Sequence, residues 1–277
     1  MVYRLERRLS HADVDFVGEL KVAALLGLLE QAAVEASTEA GFDPAWYARE
    51  GRMWIIRRTR LERFMPVGGS DTLEVETHVA DFRRARSLRR YHVRRDGVIV
   101  AEATTDWVFC DVTSGRPMRI PEAMQQAFTG AAATMLPRAE ALRICDDVPV
   151  EFSIAVQPSH LDHIAHVNNA VYASYLEDAA FALFATRGWP LARMLAAGGA
   201  LRIRWLDFEY LSDAVASEDL TVRSWLRDET VGAAAYDPPK RATSTQTITR
   251  RDGNAVMRAE SEWSWRRRSP VLGGAPT

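Results

Sequence analysis

The stretch from His160 to Ala180, HLDHIAHVNNAVYASYLEDAA, sets three histidines and an aspartate directly ahead of two asparagines and an apolar run. Three chemistries fit. His160, His163 and His166 with Asp162 are ligand types for zinc, although no second cluster supplies the outer-shell carboxylates such sites usually carry. Asp162 and His166 together offer a carboxylate and an imidazole able to take a proton from an attacking water. Asn168 or Asn169 can accept hydrogen bonds from the first free amides of a helix, which stabilises by about 1 kcal/mol and has no functional content.

The element that positions these residues occurs twice. At an offset of 147 (162 − 15), the stretch DFVGELKVAALLGLLEQAA from Asp15 aligns with the one from Asp162. Leu29 meets Leu176, Glu30 meets Glu177, Gly41 meets Gly188, Ile56 meets Ile203, Ser70 meets Ser217 and Val75 meets Val222, well above the roughly one-in-fifteen identity of chance. Further on the offset is 156 (250 − 94), where RRDGVIVAEATTDW meets RRDGNAVMRAESEW; the extra nine residues (156 − 147) fall around YDPPK, a loop composition. The chain is a tandem duplication whose copies differ at the chemistry. His166 faces Glu19, while Asn168 and Asn169 face Lys21 and Val22.

Each copy reads as a short strand, a helix and several strands, an α+β unit in which a long buried helix is wrapped by a curled antiparallel β-sheet. The first helix, from about Leu20 to Glu39, is apolar on nearly every side and predicted to be buried all round. Gly41 and Gly188 suit the left-handed position that ends a helix. MWIIRRTRLERF, DTLEVETHVADF, ARSLRRYHVRRDG and VIVAEATTDWVFC read as an antiparallel meander, and AMQQAFTGAAATMLPRAEALRICDD as a helical or loose linker.

Composition narrows the classes. With 47% hydrophobic residues and 35 basic against 37 acidic side chains, the chain has no global field for nucleic acid or anionic membrane. Cys110 and Cys145 form no CxxC pair, the start MVYRLERRLSHADVDF has no apolar signal core, and no run is long enough to span a membrane. A reduced, cytoplasmic location is expected. In the Arg-rich stretch, Arg84, Arg86, Arg90 and Arg94 would share one strand face, either steering an acidic or phosphate-bearing partner or simply facing solvent. There is no GxSxG elbow, and Ser70 in VGGSD reads as a turn residue.

DHIAHVNNAVYASYLEDA resembles the D-x-x-x-H-V-N-N-x-x-Y motif of the hotdog-fold acyl-acyl carrier protein (ACP) thioesterases. The duplication, together with LLGLLEQAAVEASTEAGF, WIIRRTRLERFMPVGGSDTLEVET and ATTDWVFCDVTSGRPMRIP, is similar to that family's tandem double hotdog, from Tyr3 to Arg266. The resemblance implies an N-terminal hotdog over 1–122 with a degenerate site forming an acyl pocket wall, a linker over 123–149, a C-terminal hotdog over 150–268 carrying HVNN, and a flexible tail over 269–277. It places the catalytic residues on Asp162 and His166, and, by matching FEYLSDAVASEDL to the family's D-Y-R-R-E-C strand, on Asp213. Plant members carry an asparagine where this chain has Ile164. Trp54 and the first helix fall where the family shapes its acyl pocket.

The expected activity is hydrolysis of fatty acyl thioesters, ACP preferred as carrier and coenzyme A second, with no cofactor, metal or nucleic acid. Water attack would use Asp162 and Asp213 as bases oriented by His166, or Asp162 as nucleophile; helix-start amides at Val167, Asn168 and Asn169 would hold the oxyanion. A hotdog hydratase and a non-catalytic acyl sensor are the competing classes. At the repeat offset Pro66 faces Asp213 (213 − 147), so one catalytic site per internal pseudo-dimer is expected; a homodimer of whole chains is compatible with this arrangement.

Overall fold

The computed structural model describes residues 1–128, 148–227 and 237–268. Most of the predicted linker (129–147), part of the YDPPK insertion (228–236) and the predicted tail (269–277) lie outside the described residues.

The described chain forms two compact units: residues 1–9, 25–65 and 70–128 in the first, and 10–24, 66–69, 148–227 and 237–268 in the second. The Asp15 loop of the first repeat thus belongs to the second unit. In the first unit come β1 (Val2–Arg8), α1 (Val22–Glu39, entering at Leu25), α2 (Pro44–Glu50), β2 (Arg52–Arg63), β3 (Thr72–Arg83), β4 (Arg86–Arg95), β5 (Val98–Asp111) and α3 (Glu122–Phe128). The second holds β6 (Val150–Ala155), α4 (Val171–Thr186), α5 (Leu191–Ala196), β7 (Gly199–Tyr210), β8 (Asp219–Leu226), β9 (Arg241–Arg250) and β10 (Ala255–Arg267). The strand pairs within each unit are antiparallel, so the class is α+β as expected. The strand orders are β1-β3-β4-β5-β2 and β6-β8-β9-β10-β7, the same topology in both copies.

That order corrects the simple meander. β2 pairs with β5 and not with β3, because residues 64–71, which include Pro66, Gly68 and Gly69, make a long connection and not a tight hairpin turn. The duplication survives in fine detail. Arg57 is skipped in the β2–β5 ladder and Arg204 in the β7–β10 ladder, and these two are equivalent at the offset of 147 (204 − 57). Ser70 and Ser217, also equivalent, both have left-handed backbones (φ 80° and 64°). Gly41 and Gly188 follow the long helices with φ of 89° and 81°.

α1 is not buried all round. It starts at Val22, and its second half turns Val34, Thr38 and Glu39 to solvent, a helical stripe that the dense leucines upstream mask. α2 carries signals the strand reading passed over: Asp43 accepts from the Trp46 amide, Pro44 opens the first turn, and Gly51 closes it at φ 63°. α3 takes the first residues of the predicted linker and packs Met124 and Phe128 into the core of the first unit. In the second unit Phe16, Phe181, Phe184 and Trp263 meet edge to face, and the buried Gln246 donates to the Leu176 carbonyl of α4. Gly199 is required by close approach, since a Cβ there would lie 2.2 Å from the Arg266 carbonyl oxygen. No described helix is long and apolar enough to cross a membrane.

Candidate active site

Asp162 and His166 sit on a loop that the aspartate itself builds. Its Oδ1 accepts from the Ile164 and His166 amides at 2.9 and 3.2 Å, and the Asp162 amide donates to the His166 carbonyl at 2.8 Å. Ala165 closes the turn with φ 63°. Ile164 contributes its backbone amide to this turn, and the residue is 43% exposed. The sequence difference at Ile164 therefore removes a carboxamide and leaves the loop intact.

Asp213 lies on the loop after β7, and that loop is clamped from three sides. Val167 donates to the Ala214 carbonyl at 2.8 Å, and His166 and Val215 form an antiparallel bridge. The buried Tyr172 hydroxyl accepts from the Ala214 amide at 3.2 Å. Arg250 donates to the Asp213 carbonyl, to Ser212 Oγ at 2.8 Å and to Glu218 Oε1 at 2.9 Å, while Glu218 Oε2 accepts from the Val215 amide at 3.1 Å. These constraints bring His166 Nδ1 to 3.6 Å from Asp213 Oδ2, with the side chains 32% and 49% exposed. This approach is longer than a hydrogen bond.

Three tyrosines back the site. Tyr172 contacts Tyr175 and Tyr210 edge to face, each at 5.8 Å, and Tyr210 donates to the Asn169 carbonyl. Burial raises the Tyr172 phenol far above its ordinary range and pushes Tyr175 up to about 12, so both keep their protons. Tyr175 donates to His160 Nδ1 at 2.6 Å, and the Gln157 amide donates to the same nitrogen at 3.0 Å. With donors on both sides, His160 Nδ1 carries no proton. His163 is exposed, and among the described residues no three such side chains gather as a metal cluster.

The expected oxyanion donors need correction. The Val167 amide is committed to Ala214 and the Asn168 amide to the His160 carbonyl at 3.0 Å. Asn168 does not cap α4, whose N-cap is Ala170; it makes an Asx turn just ahead of the helix, its side-chain Oδ1 accepting from Ala170 at 2.8 Å and its carbonyl from Val171 at 2.9 Å. Tertiary pairing with the Asp213 loop claims the Val167 amide, and the local turn back to His160 claims that of Asn168. Of the three amides only that of Asn169 lacks an acceptor among the described residues.

The first-repeat loop repeats this geometry with a different ending. Asp15 Oδ1 accepts from Val17 and Glu19 at 2.9 and 3.1 Å, and Gly18 (φ 88°) stands where Ala165 does. Asp15 Oδ2, however, lies 2.7 Å from Arg202 Nε, and Arg202 Nη2 is 2.9 Å from Glu177 Oε1, with the three side chains at most 11% exposed. The Phe16 ring stands over the guanidinium at 5.1 Å, and Glu19 faces Arg266 at 3.7 Å. Sequence reasoning missed Arg202 and Arg266. Ile55 occupies the position equivalent to Arg202 (202 − 147), so only the fold could show this neutralisation.

Trp54 belongs to the first unit. Its indole donates to Tyr47 Oη at 2.9 Å and packs on Phe109 at 5.0 Å, beside the core cluster of that unit. Of the arginines expected on one face, Arg86, Arg90 and Arg94 alternate with buried residues of β4, whereas Arg84 lies in the preceding turn with φ 50°. Arg86 pairs with Asp106 and Arg94 approaches Glu74, so the face is of mixed charge.

The family model described as the acyl-ACP thioesterase N-terminal domain matches residues 1–128, and that of the thioesterase-like superfamily matches residues 156–263. No curated protein matches. Among solved structures, an oleoyl thioesterase of Lactobacillus plantarum superposes with TM-score 0.78 at 16% identity, covering 95% of this chain and 96% of its own. An acyl-ACP thioesterase of Bacteroides thetaiotaomicron gives 0.76 at 16%, covering 95% and 98%. The 12:0-ACP thioesterase of Umbellularia californica gives 0.76 at 18%, covering 96% and 98%. At these identities the likeness is one of fold.

Proposed function

We propose that the chain, which matches the acyl-ACP thioesterase N-terminal domain over residues 1–128 and the thioesterase-like superfamily over 156–263, is a thioester hydrolase that releases free fatty acid from acyl-ACP. In this reading the chain is a tandem double hotdog, 1–122 and 150–268 joined by 123–149, with one working site in the second copy and an acyl-binding wall, including Trp54, in the first.

The observation that carries the reading is the approach of His166 Nδ1 to Asp213 Oδ2 at 3.6 Å on two loops that are each locked. Asp213 orients the imidazole, whose Nε2 takes a proton from water as the water's oxygen bonds to the thioester carbonyl carbon. The C–S bond then breaks, and the thiolate leaves with the returned proton. Asp162 keeps the loop closed through Oδ1, and its Oδ2, without a partner among the described residues, faces the reaction as an electrostatic or nucleophilic group. The Asn169 amide is the backbone donor left for the oxyanion.

A release assay with matched acyl-ACP and acyl-coenzyme A substrates across chain lengths tests the proposal. The expected result is a higher kcat/KM for the ACP series without added metal. Equal or better turnover of the coenzyme A series would move the carrier assignment; no release from either would favour an acyl sensor.

A further inference from the structure

Arg89 is a guanidinium buried in the apolar interior of the first unit. It sits on β4, is 6% exposed, and has Val79 of β3 and Thr105 of β5 as cross-strand partners. Its Cζ stands 5.4 Å over the ring of Phe128. Val79 and Phe128 belong to the cluster that includes Phe109 and Met124, with the half-buried Phe82 and Trp54 packed against it.

Little offsets the charge. Among the described residues, Arg89 makes one long hydrogen bond, from Nη1 to Thr77 Oγ1 at 3.3 Å, and pairs with no carboxylate. The nearby phenols are otherwise engaged. Tyr47 accepts from Trp54 at 2.9 Å and shares 2.8 Å with Ser37, and Tyr91 shares 3.0 Å with Thr105. Burial raises both phenols, so neither is an anion. The same burial lowers the guanidinium, yet an arginine cannot shed its proton at ordinary pH. An unpaired desolvated cation is expensive, and replacing it with an apolar side chain of similar volume would relieve the fold. A planar fork of N–H donors against aromatic and aliphatic walls complements one ligand class, a carboxylate on an apolar chain.

We propose that the first unit binds a fatty-acid carboxylate on the Arg89 guanidinium, with the chain lying along Phe128, Phe82 and Trp54. The proposal takes only the acyl ligand class from the hydrolase reading and does not need turnover. The same carboxylate is carried by free fatty acid and by the far end of a dicarboxylic acyl chain. Two measurements on the full chain separate them.

In equilibrium titration, dodecanoate should bind at least about tenfold tighter than 1-dodecanol, and Arg89→Met should bring the two within about threefold of each other. This outcome assigns free fatty acid. A dodecanedioyl thioester with a KM several-fold below that of the dodecanoyl thioester, the advantage vanishing in Arg89→Met, assigns the distal carboxyl of a substrate. The wild-type comparisons stand even where the variant folds poorly. Absence of both preferences in the wild type overturns the proposal, as does their persistence in Arg89→Met. An Arg89→Met variant that loses dodecanol binding as fully as dodecanoate binding assigns Arg89 to packing and overturns it too. Failure of thioester release alongside tight dodecanoate binding would refute the hydrolase and leave this site standing.

Discussion

In the proposed mechanism Asp162 carries two jobs on two oxygens, and substitutions can separate them. Asn at 162 keeps a carbonyl oxygen for the Ile164 and His166 amides but loses the charge, whereas Ala loses both. Asp162→Asn is therefore expected to melt near the wild type with kcat lowered about 10²-fold, and Asp162→Ala to lose about 1–3 kcal/mol of stability as well. Thermal melts beside single-turnover kinetics read the difference; an active, stable Asp162→Ala would remove both roles. His166→Ala and Asp213→Ala should each lower kcat about 10²-fold or more, and the double variant should cost little beyond either alone, because two members of one proton-transfer unit are not additive. Full additivity would show that the two side chains act separately.

The two Asp-centred loops are the same device with one residue changed at the tightest point. Gly18 takes the left-handed position at φ 88° and Ala165 at φ 63°, where a Cβ costs about 1–2 kcal/mol. Ala165→Gly should raise stability by up to about 1 kcal/mol, part of the relief being returned as unfolded-chain entropy, and Gly18→Ala should lower it. Denaturant titration decides the signs. On the opposite loop, Arg250 donates to the backbone that presents Asp213, and in the proposed mechanism it is a positioning residue. Arg250→Met should lower kcat about tenfold with KM little changed and shift the acidic limb of the pH–rate profile, with partial recovery in Arg250→Lys. An unchanged profile with a lowered melting point would reduce Arg250 to a structural clamp.

At the scale of the whole chain, the one-site proposal holds that the duplication has been kept as architecture and given up as chemistry. Both copies share strand order, a skipped arginine and a left-handed serine, yet the carboxylate of the first copy is spent on Arg202. Asp15→Ala should change kcat only a few-fold in folded protein, but it leaves the 2% exposed Arg202 with Glu177 alone. A stability loss of about 3–5 kcal/mol is expected. Calorimetry with kinetics at a permissive temperature checks both halves; a severe kcat loss without destabilisation would restore a second working site. Arg202→Met with Asp15→Asn and Glu177→Gln, which removes the whole ionic cluster, should recover most of that stability.

The sequence alone determined what is local or repeated. The duplication, the helix-ending glycines and the α+β class are written in residues near one another or at a fixed offset, where hydrogen-bonding and periodicity rules apply directly. Tertiary structure decided the rest. That β2 runs beside β5 depends on a long connection without a tight-turn signature, and that α1 exposes Val34 depends on what packs against it. The committed amide of Val167 follows from a loop that arrives from beyond β7, and Arg202 reaches Asp15 across 187 residues of chain (202 − 15). Ion pairs and amide bonds between distant segments leave no periodic trace, because their energy depends on where folding places the two groups and on how much water it removes.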